Sequence, residues 1–330
     1  MKKIIMAAAF LCMGTFGMQA QTLQFNSNKK FKIVQFTDVH WVPGNPASEE
    51  AAERMNEILD AEKPDLVIYT GDLIFAKPAA EGLDKALEPT ISRHIPFAVT
   101  WGNHDDEQDM TRTELSEYVE KKDGCLNTRT EGISGVSNFV LPVQASTGNT
   151  EAAVLYIFDS NTYSSLKQIK GYDWIKADQV EWYRKESAAF TARNGGKPLP
   201  AMAFFHIPFP EYNQAAQNEN ALLIGTRKEK ACAPAINTGL YAAMLNAGDV
   251  MATFVGHDHV NDYVADWNNI LLGYGRFTGG KTVYHDIPGG NGARVIELQE
   301  GERSFKTWIR LKGGKVINLV TYPTDFARGE

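Results

Sequence analysis

The stretch IPFAVTWGNHD, residues 95–105, contains the clearest junction between a strand and a polar loop in this 330-residue chain. Its first part, residues 95–100, is an apolar run with the length of a buried strand. Asn103, His104 and Asp105 follow directly. In α/β proteins, sites lie in the crevice at the carboxyl ends of strands. Taken alone, the motif is also typical of a turn held by polar side chains. Whether it belongs to a functional site depends on the residues that follow the other predicted strands.

Two earlier apolar runs end in the same way. The run at residues 31–37 leads into Asp38 and His40. Residues two apart on an extended backbone point to the same side, so this carboxylate and imidazole face one site together. The run at residues 65–70 leads into Asp72. Helical patterns separate these strands, and this alternation predicts parallel strands whose carboxyl ends lie on one side.

Two later predicted strands also end in imidazoles. The short apolar run at residues 200–205 ends in His206, and the run at residues 250–255 is followed by Gly-His-Asp-His. The two histidines of that motif are His257 and His259, again two positions apart. Polar residues therefore follow five predicted strands at the point where each strand ends.

The remaining pattern predicts one α/β (α+β) domain over residues 21–330, because no linker or repeat divides it. Residues 138–143 and 152–158 are joined by a short polar link, which predicts an antiparallel hairpin. Segment 212–230 is interpreted as a polar excursion from the core that shapes specificity. Further helices are predicted at 48–62, 79–93, 111–122, 177–193 and 240–247, and short strands at 263–267, 270–274, 294–298 and 305–311. Two sheets covered by helices are the simplest architecture for these elements.

The N-terminus has the pattern of a secretory signal peptide over residues 1–20. Two lysines precede the apolar run at residues 4–12, and small or polar residues lead to a cleavage site after Ala20. The pattern predicts export to the periplasm or the extracellular space, with no stable membrane insertion after cleavage. Lipidation at Cys12 is a weaker alternative, because Leu11 stands where a small residue is required.

Composition narrows the classes of function. The chain has 43% hydrophobic and 22% charged residues, as folded globular proteins do. Its net charge of -7, without a basic run, argues against a nucleic acid partner. Beyond the predicted leader there are two cysteines, Cys125 and Cys232, which either pair in an oxidising compartment or remain buried free thiols.

The polar residues at the strand ends form a set with metal-binding chemistry. It comprises four imidazoles, two carboxylates and an amide, at Asp38, His40, Asp72, Asn103, His206, His257 and His259. Mixed nitrogen and oxygen ligands suit manganese, iron, zinc or cobalt rather than calcium. Seven ligands exceed what one metal with open positions takes, so the set predicts two divalent ions sharing a carboxylate. A single histidine of this kind is more often a structural residue, and only the complete set favours a site.

In this order, the motifs Asp-x-His, Gly-Asp, Gly-Asn-His-Asp, a lone His and Gly-His-x-His resemble those of the calcineurin-like metallophosphoesterase superfamily. The resemblance spans about residues 31–260. It implies a metallophosphoesterase-type four-layer sandwich, in which two mixed β-sheets are flanked by helices. It also implies a small phosphorylated substrate, a phosphate mono- or diester, hydrolysed by attack of a metal-bridging hydroxide.

The resemblance also implies a role for each motif residue. One metal ion would be held by Asp38, His40 and His259, the other by Asn103, His206 and His257, and Asp72 would bridge both. His104 would assist the leaving group or contact the phosphoryl oxygen. Asp105 is expected to orient the imidazole of His104. An alternative in the same family is a catalytically weak protein that uses its metals for binding or scaffolding.

A finer resemblance points to the purple-acid-phosphatase-like proteins of plants and fungi. It rests on residues 172–175, 205–212, 256–261 and 274–276. True purple acid phosphatases bind metal through the tyrosine of Gly-Asp-x-x-Tyr, but this chain has Phe75 there, and His40 where those enzymes lack a histidine. We therefore predict no tyrosinate-to-iron colour.

Four further residues are candidates for substrate binding: Arg276, Tyr274, Asn161 and Tyr163. Each follows a strand or lies in a polar loop near the motifs. For each of them, stabilisation of a turn is an equally good interpretation.

Overall fold

The structure is a computed structural model of the protein, and it describes residues 22–327. The predicted signal peptide, residues 1–20, lies outside the described residues. Between residues 22 and 327, no helix combines the length and the apolar character needed to cross a membrane.

The described residues form thirteen strands and six α-helices. The strands are β1 (Lys30–Phe36), β2 (Leu66–Thr70), β3 (Phe97–Thr100), β4 (Phe139–Gln144), β5 (Glu151–Ile157), β6 (Ala201–Phe204), β7 (Leu223–Ile224), β8 (Val250–Val255), β9 (Val264–Trp267), β10 (Ile270–Tyr274), β11 (Gly292–Gln299), β12 (Phe305–Leu311) and β13 (Val316–Tyr322). The helices are α1 (Glu49–Glu62), α2 (Ala79–Ile91), α3 (Arg112–Val119), α4 (Ala177–Arg193), α5 (Glu211–Gln217) and α6 (Leu240–Ala247).

The strands form two mixed sheets, in the orders β13-β12-β11-β1-β2-β3 and β4-β5-β6-β8-β10-β9-β7. As the alternation of strands and helices predicts, β1, β2 and β3 are parallel. The hairpin of β4 and β5 is antiparallel, also as predicted, whereas β6 lies parallel to both β5 and β8. The carboxyl ends of β1, β2, β3, β6 and β8 therefore carry the predicted polar motifs.

Side chains that alternate between the two faces of each strand pack into separate apolar layers. Ile33 belongs to the apolar cluster between the two sheets, whereas its neighbour Val34 belongs to the cluster that includes α1 and α2. A third cluster packs the second sheet against α4 and α6, for example Tyr156 with Tyr183 and Met244. Full burial of each large apolar side chain contributes about 1.5–3 kcal/mol. The result is the predicted four-layer sandwich of two sheets flanked by helices.

The sequence pattern predicts segment 212–230 to be a polar excursion from the core, but its first part is anchored in the core. It begins inside α5, and Tyr212 is fully buried, with its hydroxyl 2.8 Å from Thr253 Oγ1 and donating to Gly273 O at 3.2 Å. One buried aromatic in a polar segment leaves no periodic signal, which is why the pattern missed this anchor. The rest of the segment returns to the sheet through β7, which pairs with β9.

The two cysteines do not pair. Cys125 and Cys232 are both free, so the disulfide alternative is not realised. Cys125 is half-buried, and Cys232 is exposed rather than buried.

Candidate metal centre

The predicted donor side chains converge into two adjoining groups that share one carboxylate. The first group holds Asp38, His40, Asp72 and His259, and the second holds Asp72, His206 and His257. In each group the donor atoms lie within 4.8 Å of one another, and every member is buried. The grouping places Asp72 between the two sets, where a bridging ligand belongs.

The backbone is contorted at the strand ends that supply these donors. Four of the donor residues have left-handed backbone angles, with φ of 51° at Asp38, 47° at His40, 52° at Asp72 and 80° at His257. Such angles are uncommon for residues other than glycine, and they concentrate at functional sites. The chain therefore turns sharply where these strands pass into their polar loops.

Two glycines allow the loops to meet closely. A Cβ added at Gly102 would lie 2.0 Å from Asp72 Oδ1, and one added at Gly256 would lie 1.9 Å from Thr37 Oγ1. Any side chain at either position would therefore push the loops apart. These glycines are required by proximity, because no positive φ is involved at either one.

Hydrogen bonds from the strands orient the donors. His206 Nδ1 lies 2.7 Å from Thr70 O, which turns Nε2 toward Asp72 Oδ2 at 3.1 Å. The backbone N–H of His104 donates to Asp72 Oδ1 at 2.8 Å, and the N–H of His257 donates to both Asp38 oxygens at 3.1 Å. Metal-binding histidines commonly donate their second ring N–H to a carbonyl in this way.

Four buried atoms of the predicted donor residues have no hydrogen-bond partner among the described residues. They are His40 Nε2, Asn103 Oδ1, His257 Nε2 and His259 Nδ1. Each buried polar atom left unpaired costs about 1–3 kcal/mol. All four belong to residues of the predicted donor set, and imidazole nitrogen and amide oxygen both bind first-row divalent ions. The residues present therefore fit a metal centre.

The electrostatics of the cluster favour a cation. Burial acts to raise the pKa of Asp72, but the charge and hydrogen bond of His206 hold it well below its ordinary value. Burial acts in the opposite direction on His206, and Asp72 raises its pKa to about 9. Burial, reinforced by the charge of His206, lowers the pKa of His257 to about 3. Asp72 therefore stays ionised beside the neutral imidazole of His257.

Asp105 does not orient His104, and that expectation is wrong. Its carboxylate instead accepts backbone N–H groups from both neighbouring loops: Asp72 at 2.9 Å, Leu73 at 2.7 Å, Ile74 at 3.2 Å and Gly102 at 2.8 Å. Burial, followed by the charge of Asp72, raises the pKa of Asp105 to about 6 despite these bonds. Asp105 therefore joins the Gly-Asp loop to the Gly-Asn-His-Asp loop.

The partner of His104 is Glu107, which the sequence analysis missed. The ring Nδ1 of His104 lies 2.7 Å from Glu107 Oε2, and the other carboxylate oxygen accepts the Tyr163 hydroxyl at 3.0 Å. That hydroxyl in turn accepts from Asn103 Nδ2 at 3.1 Å, which leaves Asn103 Oδ1 for the cluster. The only sequence signal was an acidic residue three positions after His104, within a run of three acidic residues.

Arg112 is a second residue that the motifs did not indicate. It donates to Gly102 O at 2.7 Å and Trp101 O at 3.0 Å, and its ion pair with the fully buried Asp159 is 2.6 Å long. Arg112 therefore fixes the loop that carries Asn103 and His104. Its position at the start of α3, ten residues from Gly102, gave no sequence signal for this contact.

Three of the substrate-binding candidates are occupied elsewhere. Arg276 is fully buried, pairs with Asp262 at 2.7 Å and donates to two carbonyls of a neighbouring turn. The Tyr274 hydroxyl donates to Asp258 at 2.6 Å, inside the Gly-His-Asp-His loop. Asn161 donates to Trp174 O at 2.9 Å. These contacts are those expected from turn stabilisation, the alternative interpretation of the three residues, whereas the Tyr163 hydroxyl contacts the predicted donor residue Asn103.

Comparison with known proteins places this geometry in a family. Residues 31–261, which contain all seven donors, match the profile of the calcineurin-like phosphoesterase family. A protein of Arabidopsis thaliana named probable inactive purple acid phosphatase 29 is 31% identical over 354 alignment positions, covering 93% of this chain and 90% of the plant protein. Phosphatase DCR2 of Saccharomyces cerevisiae is 35% identical, covering 89% of this chain and 56% of the yeast protein.

A solved structure of a related fold agrees with this match. A dimetal phosphatase from Danio rerio superposes with a TM-score of 0.62 at 11% identity, covering 88% of this chain and 98% of that one. At this identity the superposition shows the fold alone, and the profile match supplies the relationship. The chain, which brings these two donor groups together at the carboxyl ends of strands from both sheets, belongs to the calcineurin-like phosphoesterase family.

Proposed function

We propose that this chain is an exported hydrolase that cleaves phosphate mono- or diesters with the help of two divalent metal ions. The observation that carries the proposal is the convergence of buried imidazole and carboxylate donors into two groups that share Asp72, with the donor atoms of each group within 4.8 Å of one another. His40 Nε2 and Asn103 Oδ1, which belong to the predicted donor set, are buried without a hydrogen-bond partner, and a metal ion would offset the cost of leaving them unpaired. The leader pattern at residues 1–20 supports export, and the charge of -7 favours a small phosphorylated substrate over nucleic acid.

The donor groups suggest how the metals would be held. One ion would take Asp38, His40 and His259, the other Asn103, His206 and His257, and both would share Asp72, which belongs to both groups. Bound there, manganese, iron, zinc or cobalt would lower the pKa of a water molecule and offset negative charge on the phosphoryl oxygens. The open positions that catalysis requires would face solvent on the side of His104, whose side chain is 29% exposed.

His104 is suited to serve the leaving group. Its backbone N–H is bonded to Asp72, so the residue is tied to the centre, while its ring extends toward solvent. Glu107 holds Nδ1, and Nε2 is then the atom that donates a proton to the departing oxygen. The negative charge of Glu107 balances the positive charge of the ring before this proton is transferred.

The test is hydrolysis by the metal-free protein after addition of a single metal. A chromogenic phosphate monoester and its diester counterpart would be supplied with manganese, iron, zinc or cobalt. We expect metal-dependent turnover that disappears in Asp72→Ala and falls about a hundredfold or more in His104→Asn, with metal content unchanged in the latter. His94→Ala is the matched control, because this histidine is 83% exposed and belongs to neither donor group. Turnover that does not require added metal would refute the proposal.

A second candidate is a metal-binding or scaffolding protein with little catalytic activity. The specific observation in its favour is the phrase probable inactive in the name of the Arabidopsis thaliana relative. The same assays separate the two, because this candidate predicts stoichiometric metal binding without turnover of either ester.

A further inference from the structure

Aromatic side chains surround the mouth of the proposed metal centre. We call Phe75, Tyr163, Tyr172 and Tyr284 the aromatic rim. Phe75 stacks on the His40 ring with centroids 4.8 Å apart. The ring centroids of Tyr172 and Tyr284 lie 4.3 Å from His257 and 4.2 Å from His259, and Tyr163 stacks on Tyr172 at 5.6 Å. Both donor groups are thus bordered by aromatic rings.

The rim is exposed to an unusual degree for aromatic residues. Phe75 is 41% exposed, Tyr163 43% and Tyr284 58%. Between residues 22 and 327, these are the three most exposed aromatic side chains. Exposed apolar surface gathered at one place, and bordered by polar groups, typically marks a binding site. The three side chains come from three different loops, so their convergence is not a consequence of neighbouring positions in sequence.

The polar groups of the rim carry negative charge. The Tyr163 hydroxyl donates to Glu107 at 3.0 Å, and the Tyr284 hydroxyl donates to Glu229 at 3.3 Å. Lys228, beside Glu229, is paired with Asp286 at 2.9 Å. Glu107 is paired with His104, so a leaving group with further phosphates or carboxylates would meet the carboxylate of Glu229 unfavourably. An uncharged flat ring would instead gain stacking contacts with the rim.

From this combination, we propose that the substrates are phosphate esters whose leaving group carries an uncharged aromatic ring, bound by the aromatic rim. The inference rests on the proposed function, since the metals would hold the phosphate while the rim holds the ring. Phe75 and Tyr284 are specificity-determining residues in this account, because they flank His40 and His259 from the solvent side.

The test compares 2-phenylethyl phosphate with 2-cyclohexylethyl phosphate. The two leaving alcohols have the same chain and ring size, so they differ in aromatic character and not in intrinsic reactivity. A merely apolar surface would favour the more hydrophobic cyclohexyl compound. We expect kcat/KM to favour the phenyl ester about three- to tenfold, the range that ring stacking supplies. In Phe75→Leu and Tyr284→Leu this ratio should fall toward one.

Tyr118→Leu is the matched control. It also removes a tyrosine ring, but Tyr118 contacts Asp84 and Lys122 and packs against the apolar cluster around α1 and α2, not against the rim. The ratio should keep its wild-type value in this variant. Loss of the preference in Tyr118→Leu to the same extent as in Tyr284→Leu would overturn the assignment to the rim.

A binding measurement separates this inference from the proposed function. The two corresponding phosphonates cannot be hydrolysed, and their affinities for the metal-loaded protein can be measured by calorimetry. If neither ester is hydrolysed but the phenyl phosphonate binds more tightly, the proposed function fails and the rim assignment stands. If both esters are hydrolysed at equal kcat/KM and the phosphonates bind equally, the rim assignment is overturned and the proposed function stands.

Discussion

His104 Nδ1 lies 2.7 Å from Glu107 Oε2, so the imidazole above the donor cluster is held by the carboxylate three residues further along its own turn. The neighbouring carboxylate of Asp105, one residue from His104, is occupied by four backbone N–H groups. Asp105 and Glu107 therefore have separate tasks. Glu107 positions the proposed proton donor, and Asp105 holds the loops together.

Glu107→Gln should reduce catalysis without affecting metal binding. Glutamine has the same shape, but it lacks the charge that balances a protonated His104. We expect kcat to fall about ten- to a hundredfold, a part of what general acid catalysis supplies, with KM little changed. The pH profile of kcat should also shift, which a purely structural role would not produce. Glu88→Gln, a change at a 62% exposed carboxylate paired with Lys85, serves as control. An unchanged kcat in Glu107→Gln would contradict the assignment.

Tyr163→Phe should weaken the second metal site. The lost hydroxyl accepts from Asn103 Nδ2 and so fixes the amide with Oδ1 toward the cluster. Removing such an orienting partner typically lowers metal affinity about ten- to a hundredfold. Metal titration monitored by calorimetry measures the change. Tyr241→Phe also removes a hydroxyl, but one that donates to Trp267 O, and should leave both affinities intact. Equal affinities in Tyr163→Phe and the wild type would refute this role.

Asp105→Ala should destabilise the fold. The substitution leaves backbone N–H groups of Asp72, Leu73, Ile74 and Gly102 without their buried acceptor. We expect the free energy of unfolding to fall by about 3–5 kcal/mol, as when a buried charge network loses one partner. Urea denaturation measures it. Asp123→Ala, at a carboxylate that is 71% exposed, should stay within about 0.5 kcal/mol of wild type. A loss below about 1 kcal/mol in Asp105→Ala would contradict the account.

Metal binding should release protons at neutral pH. In the metal-free protein, Asp72 outweighs the effect of burial and raises the pKa of His206 to about 9, so the ring is protonated at pH 7. Because the folded pKa lies above the ordinary value of 6.5, this pair stabilises the metal-free fold fully below about pH 6.5, and the contribution disappears as pH rises through 9. A metal ion must displace the proton, so its affinity should increase from pH 6 toward 9.

Calorimetry at pH 7 in buffers of different ionisation enthalpy measures this release directly. We expect about one proton per chain to be released through His206. A binding heat that does not depend on the buffer would show that the ring is neutral before the metal arrives.

The framework of the fold was predictable because its signals are local. Apolar runs of strand length and helical spacing locate β1 to β3 and their helices, and the order of the motifs places the seven donors at neighbouring strand ends. β13 was missed, since only two of its seven residues, Val320 and Tyr322, are buried and no alternation of polar and apolar residues marks it.

The contacts within the site were less predictable, for a physical reason. Which acid meets His104 depends on the path of a turn, and that turn continues into a short 3₁₀ helix at Asp105–Glu107. Arg276 likewise follows a strand, as a ligand-binding residue does, but a neighbouring turn supplies enough carbonyls to bury it completely. The hydrogen-bond partners of such side chains depend on how the loops fold in three dimensions, and no local residue pattern encodes them.

The central claim, that the shared donor cluster holds two metal ions, is tested most directly by counting metals. The protein would be loaded with manganese, freed of excess metal, and analysed by mass spectrometry for metal content, beside Asp72→Ala and His94→Ala. Circular dichroism would verify that each variant is folded. The account predicts two ions per chain in the wild type and in His94→Ala, and fewer than one in folded Asp72→Ala. No stoichiometric metal in the wild type, or two ions retained without Asp72, would contradict it.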